Sequence, residues 1–124
     1  MTEIHEAMGQ KELLDERIQL SRDYSKNREL AYQAKYNIEM LLVANLSRIR
    51  KEKPNVGYDM AILILMEDGF LDDVTAQIAR EHYKNFTKHT SKYKGIEKIL
   101  NAMDSKVSFS QSLMRYQRQG ETGQ

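Results

Sequence analysis

The chain contains no cysteine and no tryptophan, and it has a single proline among its 124 residues. The absence of cysteine excludes disulfides, thiolate nucleophiles and cysteine-based metal sites, and it is typical of proteins kept in a reducing compartment. The six glycines stand singly, so the sequence has no glycine-rich phosphate-binding loop. We therefore expect a cytoplasmic protein that is not an enzyme and carries no cofactor.

Long hydrophobic runs are also missing. The longest apolar run, Met60–Met66, has seven residues, whereas a membrane-spanning helix needs about 20. The N-terminus has no basic patch followed by an apolar stretch, so we predict neither a secretory signal nor a membrane association. The 19 Lys plus Arg and 18 Asp plus Glu residues leave a net charge of +1, which indicates no class of partner.

A helical pattern occupies the first segment, from about residue 10 to residue 53. Its apolar positions recur every three or four residues, and neither glycine nor proline interrupts it. The stripe comprises Ala31, Ala34, Ile38, Leu41, Leu42, Asn45 and Ile49, and Met40, Val43 and Leu46 widen it. The segment 53–57, which contains Pro54 and Gly57, predicts the end of this helix.

The next segment, residues 58–67, is short and very apolar. Its composition would also suit a buried strand, but the chain offers no second strand to pair with it, so we predict a helix. Asp68 and Gly69 are typical of a C-terminal turn. Asp72 or Asp73 then offers an N-cap for the following helix.

In the last segment, from residue 71 to about residue 119, a row of mostly apolar residues recurs at intervals that alternate between four and three residues. This spacing indicates a coiled-coil-like seam. The seam comprises His82, Phe86, His89, Tyr93, Ile96, Leu100, Met103, Val107, Ser110, Met114 and Gln117. Val74 and Ile78 are expected to extend it toward the N-terminus. Gly95 predicts either a kink or the close approach of another backbone.

Together these patterns predict an all-α protein. Two long amphipathic helices form an antiparallel, coiled-coil-like hairpin, with the short apolar helix at the connecting end. Residues 1–119 are expected to form one domain, in which residues 1–10 could lack order, and residues 120–124 a disordered tail. Helices of about 40 to 48 residues would be roughly 60 to 70 Å long, against a radius of gyration of about 14 Å for a compact chain of this size. We therefore expect a homo-oligomer or a protein partner to cover the exposed stripes.

Two groups of titratable side chains have alternative interpretations. Four carboxylates surround the second turn: Glu67, Asp68, Asp72 and Asp73. We favour a solvated loop with helix caps over a cation site there, because the ligand spacing of a metal site is absent. His82 and His89 lie seven residues apart on one helix face. We interpret them as polar seam residues, in preference to a pH-sensitive contact or to a metal site, which more often uses histidines four residues apart.

Charge is distributed unevenly along the chain. Residues 54–79 contain five acidic and no basic residues, a charge of −5, whereas residues 80–119 contain nine basic and three acidic residues, a charge of +6. A row that we call the basic stripe recurs every four residues and consists of Arg80, Lys84, Lys88 and Lys92, with Tyr83 and Tyr93 beside it. A second group, the basic cluster, ends the first helix and consists of Arg48, Arg50, Lys51 and Lys53.

Basic residues in a row with interleaved aromatic residues suit a phosphate backbone whose bases can stack. In an antiparallel hairpin the basic cluster would lie near the start of the basic stripe. We therefore predict that both bind single-stranded DNA or RNA. Three alternatives stay open: a solvated helix face, an acidic surface of a partner protein, and the acidic segment 54–79 of a neighbouring copy.

Two C-terminal segments, Ser105–Phe109 and Arg115–Gly120, resemble the last helix of recombination mediators from large tailed phages. Members of that family are small helical proteins that assemble into rings and load a recombinase on single-stranded DNA. Its basic aromatic run at the end of the first helix is matched here by the basic cluster without the aromatic residues. The resemblance implies a phage-type recombination or replication accessory protein in the host cytoplasm. The alternative is a small inhibitor or adaptor, such as an anti-defence protein, that docks on a partner protein.

Overall fold

The structure, a computed structural model, describes the backbone of residues 2–122 and the side chains of residues 9–106, 111, 113 and 115. It contains three helices, α1 (Thr2–Glu52), α2 (Tyr58–Met66) and α3 (Asp73–Thr122), and no strand among the described residues. The long helices α1 and α3 pack against each other, and α2 lies in their connection. The predicted all-α hairpin with a short apolar helix at its connecting end is confirmed.

The helices extend further toward both ends of the chain than the sequence patterns indicate. The helix α1 begins at Thr2, inside the segment 1–10, and α3 continues to Thr122, inside the expected tail 120–124. Residues 1, 123 and 124 lie outside the described residues. The chain also divides into two compact units, a central unit of residues 26–92 and a terminal unit of residues 1–25 and 93–124.

The core of the central unit lies where its three helices meet. Ile49 from α1 and Ile64 and Leu65 from α2 are its largest fully buried side chains, and each contributes about 1.5 to 3 kcal/mol by leaving water. Ala79 from α3 packs in the same cluster. Its small side chain is buried completely at the point where α3 joins the core. The short helix α2 therefore closes the hairpin by an apolar contact with both of its long helices.

The predicted stripe of α1 is buried, apart from its margins. Its buried members are Ala31, Ala34, Ile38, Leu42, Asn45 and Ile49, and Leu41 and Leu46 are half-buried. Met40 and Val43, which were expected to widen the stripe, are 50% and 67% exposed, so this expectation is wrong. At 100° per residue both side chains lie on the side of α1 opposite Ile38 and Leu42.

The predicted seam of α3 is half-buried at every position from His82 to Met103. The side chains at its last four positions, 107, 110, 114 and 117, lie outside the described residues. The expected extension through Val74 and Ile78 is wrong, because both side chains are exposed and Ala76 and Ala79 are buried instead. The contact at the start of α3 therefore follows steps of three residues and uses the smallest apolar side chains.

The connections on both sides of α2 follow the predicted turn chemistry. Gly69 has φ +81°, a left-handed conformation that side chains with a Cβ rarely adopt. Asp72 Oδ1 accepts a hydrogen bond of 2.7 Å from the backbone N–H of Thr75, which makes Asp72 the N-cap of α3. The helix α2 begins after Gly57 and ends at Met66, as the apolar segment predicts.

The terminal unit is held together by contacts between side chains that are half-buried or exposed. The rings of Tyr24 and Tyr93 meet edge to face with their centroids 5.8 Å apart, and Arg17 Nη1 lies 2.6 Å from Asp104 Oδ1 in an exposed ion pair. None of the described side chains of this unit is fully buried. Because apolar burial carries most of the stability of a fold, we expect the terminal unit to open more readily than the central unit.

The close approach of another backbone that was expected as one alternative at Gly95 is absent among the described residues. The helix α3 continues through this position, and a Cβ added there would meet no described atom within 4 Å. We therefore expect the Gly95→Ala variant to raise the free energy of unfolding by roughly 0.5 to 1 kcal/mol, because alanine restricts the unfolded chain and favours the helix. Urea unfolding followed by circular dichroism measures the change.

Gly69→Ala is the opposing control, because its positive φ strains any residue with a Cβ. We expect this variant to lower the free energy of unfolding under the same conditions. A destabilised Gly95→Ala variant would instead indicate that another backbone packs at this position.

Candidate nucleic-acid interface

Two carboxylates of the turn between α2 and α3 pair with arginines of the same chain. Arg80 Nη1 donates a hydrogen bond of 2.7 Å to Asp68 Oδ1, and Arg48 Nη1 lies 3.7 Å from Asp72 Oδ2. Arg48 also donates to Asn45 Oδ1 at 3.5 Å, and Asn45 donates to the Leu41 carbonyl at 2.9 Å. These arginines belong to the basic cluster and the basic stripe, and carboxylates of the segment 54–79 already offset part of their charge.

The remaining three members of the basic stripe, which we call the lysine row, differ from Arg80. Lys84, Lys88 and Lys92 are all exposed, and none of them pairs with a carboxylate of the described residues. Their four-residue spacing places neighbouring members about 6 Å apart on α3. Like charges at this spacing oppose helix formation by about 0.2 to 0.5 kcal/mol per pair. The lysine row is therefore a concentration of positive charge that the described fold does not neutralise.

The two tyrosines of the predicted site lie in different units. Tyr83 belongs to the central unit, is 43% exposed, and has its ring centroid 6.4 Å from that of Phe86. Tyr93 belongs to the terminal unit and is half-buried against Tyr24. Tyr83 is therefore the aromatic residue that the structure brings into one unit with the lysine row.

The other three residues of the basic cluster lie where each of them can stabilise the fold. Arg50 and Lys51 lie in the last turn of α1, where positive charge favours the helix dipole. Lys53 Nζ lies 5.9 Å from the centroid of the Phe70 ring, close enough for a cation–π contact. All three side chains are exposed, so they also remain accessible to an anionic partner.

His89 makes a polar contact between the long helices of the central unit. Its Nδ1 lies 2.9 Å from Asn27 Oδ1, and both residues are half-buried. Burial lowers the pKa of His89, and the positive charges of Lys88, Lys92 and Lys26 lower it further. The spacing of His89 from His82 indicates its place on the seam. Its partner Asn27 could not be found in this way, because the facing residue depends on the register between two helices.

An apolar groove of about 460 Å³ lies among the three helices of the central unit. It is lined by Ile38, Tyr58, Ile62, Leu63, Tyr83 and Phe86, with Lys35 and Asp59 as its charged members. Leu63 is 55% exposed. The Tyr58 hydroxyl donates a hydrogen bond of 3.0 Å to Glu39 Oε1, and the pKa of Tyr58 is raised by burial and then by Glu39. Sequence reasoning missed this groove, although α2 has more apolar positions than one buried face can use.

Neither family models nor curated proteins nor solved structures match this chain. Within the part of the chain that the structure describes, no helix has the length and hydrophobicity to cross a membrane. The described histidines and carboxylates also form no group of three or more that could hold a metal ion.

The cap of α3 makes the stability of the protein depend on pH. The carboxylate of Asp72 accepts hydrogen bonds from the backbone N–H of Thr75 at 2.7 Å and from its hydroxyl at 2.8 Å, and the backbone bond is the main reason why the pKa of Asp72 is lowered. The contribution of this carboxylate is present above its unfolded-state pKa, near 3.8, and is lost as the pH falls through the lower folded-state value.

We expect Asp72→Asn to reduce the loss of stability between about pH 5 and pH 3, because asparagine still caps the helix but does not titrate in this range. Urea unfolding at a series of pH values measures the slope. Asp73→Asn is the matched control, since this neighbouring carboxylate accepts no hydrogen bond from a described side chain or cap. Equal slopes for both variants would contradict the assignment of Asp72 as the titrating cap.

Proposed function

We propose that this protein is a non-enzymatic, helical accessory protein that binds single-stranded DNA or RNA through the lysine row, with Tyr83 as an exposed aromatic residue of the same unit. The observation that carries the proposal is the contrast along α3: Arg80 has a carboxylate partner, whereas Lys84, Lys88 and Lys92 are exposed without one among the described residues. Unpaired ammonium groups in a row can replace the counterions of a phosphate backbone.

The chemistry of this surface suits binding without sequence preference. Lysine binds phosphate as a point charge, and contacts to phosphate carry no sequence information. An exposed tyrosine ring can stack on any base, because every base has a π-face. Such a surface is appropriate to an accessory protein of recombination or replication, which must bind a strand of any sequence. We extend this proposal to a phage-type protein that acts in the cytoplasm of the host cell, as the resemblance of residues 105–120 implies.

The wild-type protein is expected to bind a labelled single-stranded oligonucleotide in fluorescence anisotropy. Three phosphate contacts predict a slope near −2 for the logarithm of the affinity against the logarithm of salt concentration, or roughly a 20-fold loss between 50 and 200 mM salt. Changing Lys84, Lys88 and Lys92 together to Glu should abolish binding while helicity stays unchanged, because all three side chains are exposed.

A control with the same change of net charge replaces three exposed lysines of the terminal unit, Lys11, Lys98 and Lys106, by Glu. This variant is expected to retain most of the binding. Equal losses in both variants would indicate that net charge, not the lysine row, drives the association. If the wild-type protein does not bind at low salt, the proposal is wrong.

We propose self-association as the second part of this function. Apolar side chains of α2 remain exposed: Tyr58 and Leu63, which line the groove, and Met60. Contiguous exposed apolar surface of this kind is typical of protein interfaces. Joining several copies would place several lysine rows on one strand, and the linked contacts would bind more tightly than a single row.

Light scattering after gel filtration at micromolar concentration tests the self-association. We expect a wild-type mass that is a multiple of 14.5 kDa. Leu63→Glu should shift it toward the mass of one chain, because it places a charge in the groove. The control Val43→Glu changes a more exposed apolar residue that does not line the groove, and it should leave the mass unchanged. A wild-type mass of a single chain would overturn this part of the proposal.

The groove also supports a second candidate function, a small adaptor or inhibitor that docks on a partner protein. Its apolar lining with one cation, Lys35, and one anion, Asp59, is a composition that suits an amphipathic helix of a partner. Salt distinguishes the two functions, since phosphate contacts weaken steeply as salt rises and apolar docking does not.

A further inference from the structure

Lys26 of α1 and two members of the lysine row of α3, Lys88 and Lys92, all lie near enough to His89 to act on its charge. The contact of 2.9 Å between Asn27 Oδ1 and His89 Nδ1 joins the helices at this level, and Lys26 and Lys88 are the chain neighbours of these two residues. Lys92 follows His89 by three residues, and residues three apart are neighbours on a helix surface. All three lysines are exposed, and His89 lies half-buried among them.

The charged groups that shift the pKa of His89 are three lysines of the described residues. Lys88 and Lys92 from α3 and Lys26 from α1 disfavour the protonated ring, after the larger effect of burial. The acceptor Asn27 Oδ1 requires that Nδ1 of the neutral ring carry the proton, so Nε2 is the nitrogen that can gain one. Among the described residues, no carboxylate of α1, α2 or α3 contributes to this shift of the pKa of His89.

We propose that Lys26, Lys88, Lys92 and His89 form one phosphate-binding site, in which phosphate binding is coupled to the uptake of a proton from solvent at His89 Nε2. The proposal rests on the function proposed above and adds to it a contribution from α1 and a dependence on pH. The negative charge of a bound phosphate offsets part of the three ammonium charges, and the protonated form of the ring then becomes more favourable. By thermodynamic reciprocity, protonation of His89 must strengthen phosphate binding by the same factor.

Fluorescence anisotropy with a labelled oligothymidylate at pH 8 and pH 6, at constant ionic strength, tests the coupling. We expect the wild-type protein to bind about fivefold or more tightly at pH 6. His89→Gln should bind as the wild type does at pH 8 and lose this gain at pH 6. The control His82→Gln, which changes the other histidine of the seam, should keep the gain.

A comparison of two single-lysine variants tests the contribution of α1 to phosphate binding. Lys26→Gln is expected to weaken binding about as much as Lys88→Gln does. The control Lys11→Gln, which changes an exposed lysine elsewhere on α1, should have little effect. If Lys26→Gln binds like the wild type, or if His89→Gln keeps the full gain at pH 6, the inference is overturned while the proposed binding through the lysine row stands.

A measurement on the unmodified protein does not depend on the folding of any variant. The pKa of His89 is measured from its ring proton signals in NMR with and without inorganic tripolyphosphate. The proposal predicts a higher pKa of His89 in the presence of this anion. If the wild-type protein binds no oligonucleotide, the proposed function fails, and a raised pKa of His89 would still support an anion site. An unchanged pKa of His89 would overturn the site itself.

Discussion

The burial of α2 between the two long helices is the contact on which the central unit depends. A hairpin of two amphipathic helices leaves its connecting end open to water unless an apolar element covers it. Ile64 and Leu65 supply that cover, and they reach Ile49 of α1 and Ala79 of α3 in one cluster. The nine residues of α2 could not form a stable helix alone, so the helix and the core stabilise each other.

Closing the hairpin in this way determines where the charges of the central unit lie. The turn after α2 brings Asp68 to Arg80 and Asp72 to Arg48, so two of the five carboxylates of the acidic segment pair within their own chain. Both ion pairs are exposed and contribute little to stability. Their main consequence is for the charge distribution, because they offset part of the charge of the arginines, whereas the lysine row has no carboxylate partner among the described residues.

The same closure leaves apolar surface in excess. A short helix that is apolar on nearly every side can bury one face only, and both Met60 and the groove residue Leu63 of α2 stay exposed. Packing of α1 against α3 also places His89 and Asn27 at the level of three lysines, where a carboxylate would have given a more stable pair. An exposed apolar surface and an unneutralised cationic one are features expected of binding surfaces rather than of stable packing.

The sequence by itself determined the class of fold, the helix boundaries near Pro54 and Gly69, the buried stripe of α1 and the seam of α3 from His82 to Met103. These features are local, because helical periodicity and turn chemistry are properties of neighbouring residues. It did not reveal that Met40, Val43, Val74 and Ile78 stay exposed, since several helix faces were apolar enough to be buried and only packing selects one. The partners of Arg48, Arg80 and His89 were also decided by the tertiary structure alone. Such pairs depend on the register and rotation of one helix against another, and a one-dimensional pattern specifies neither.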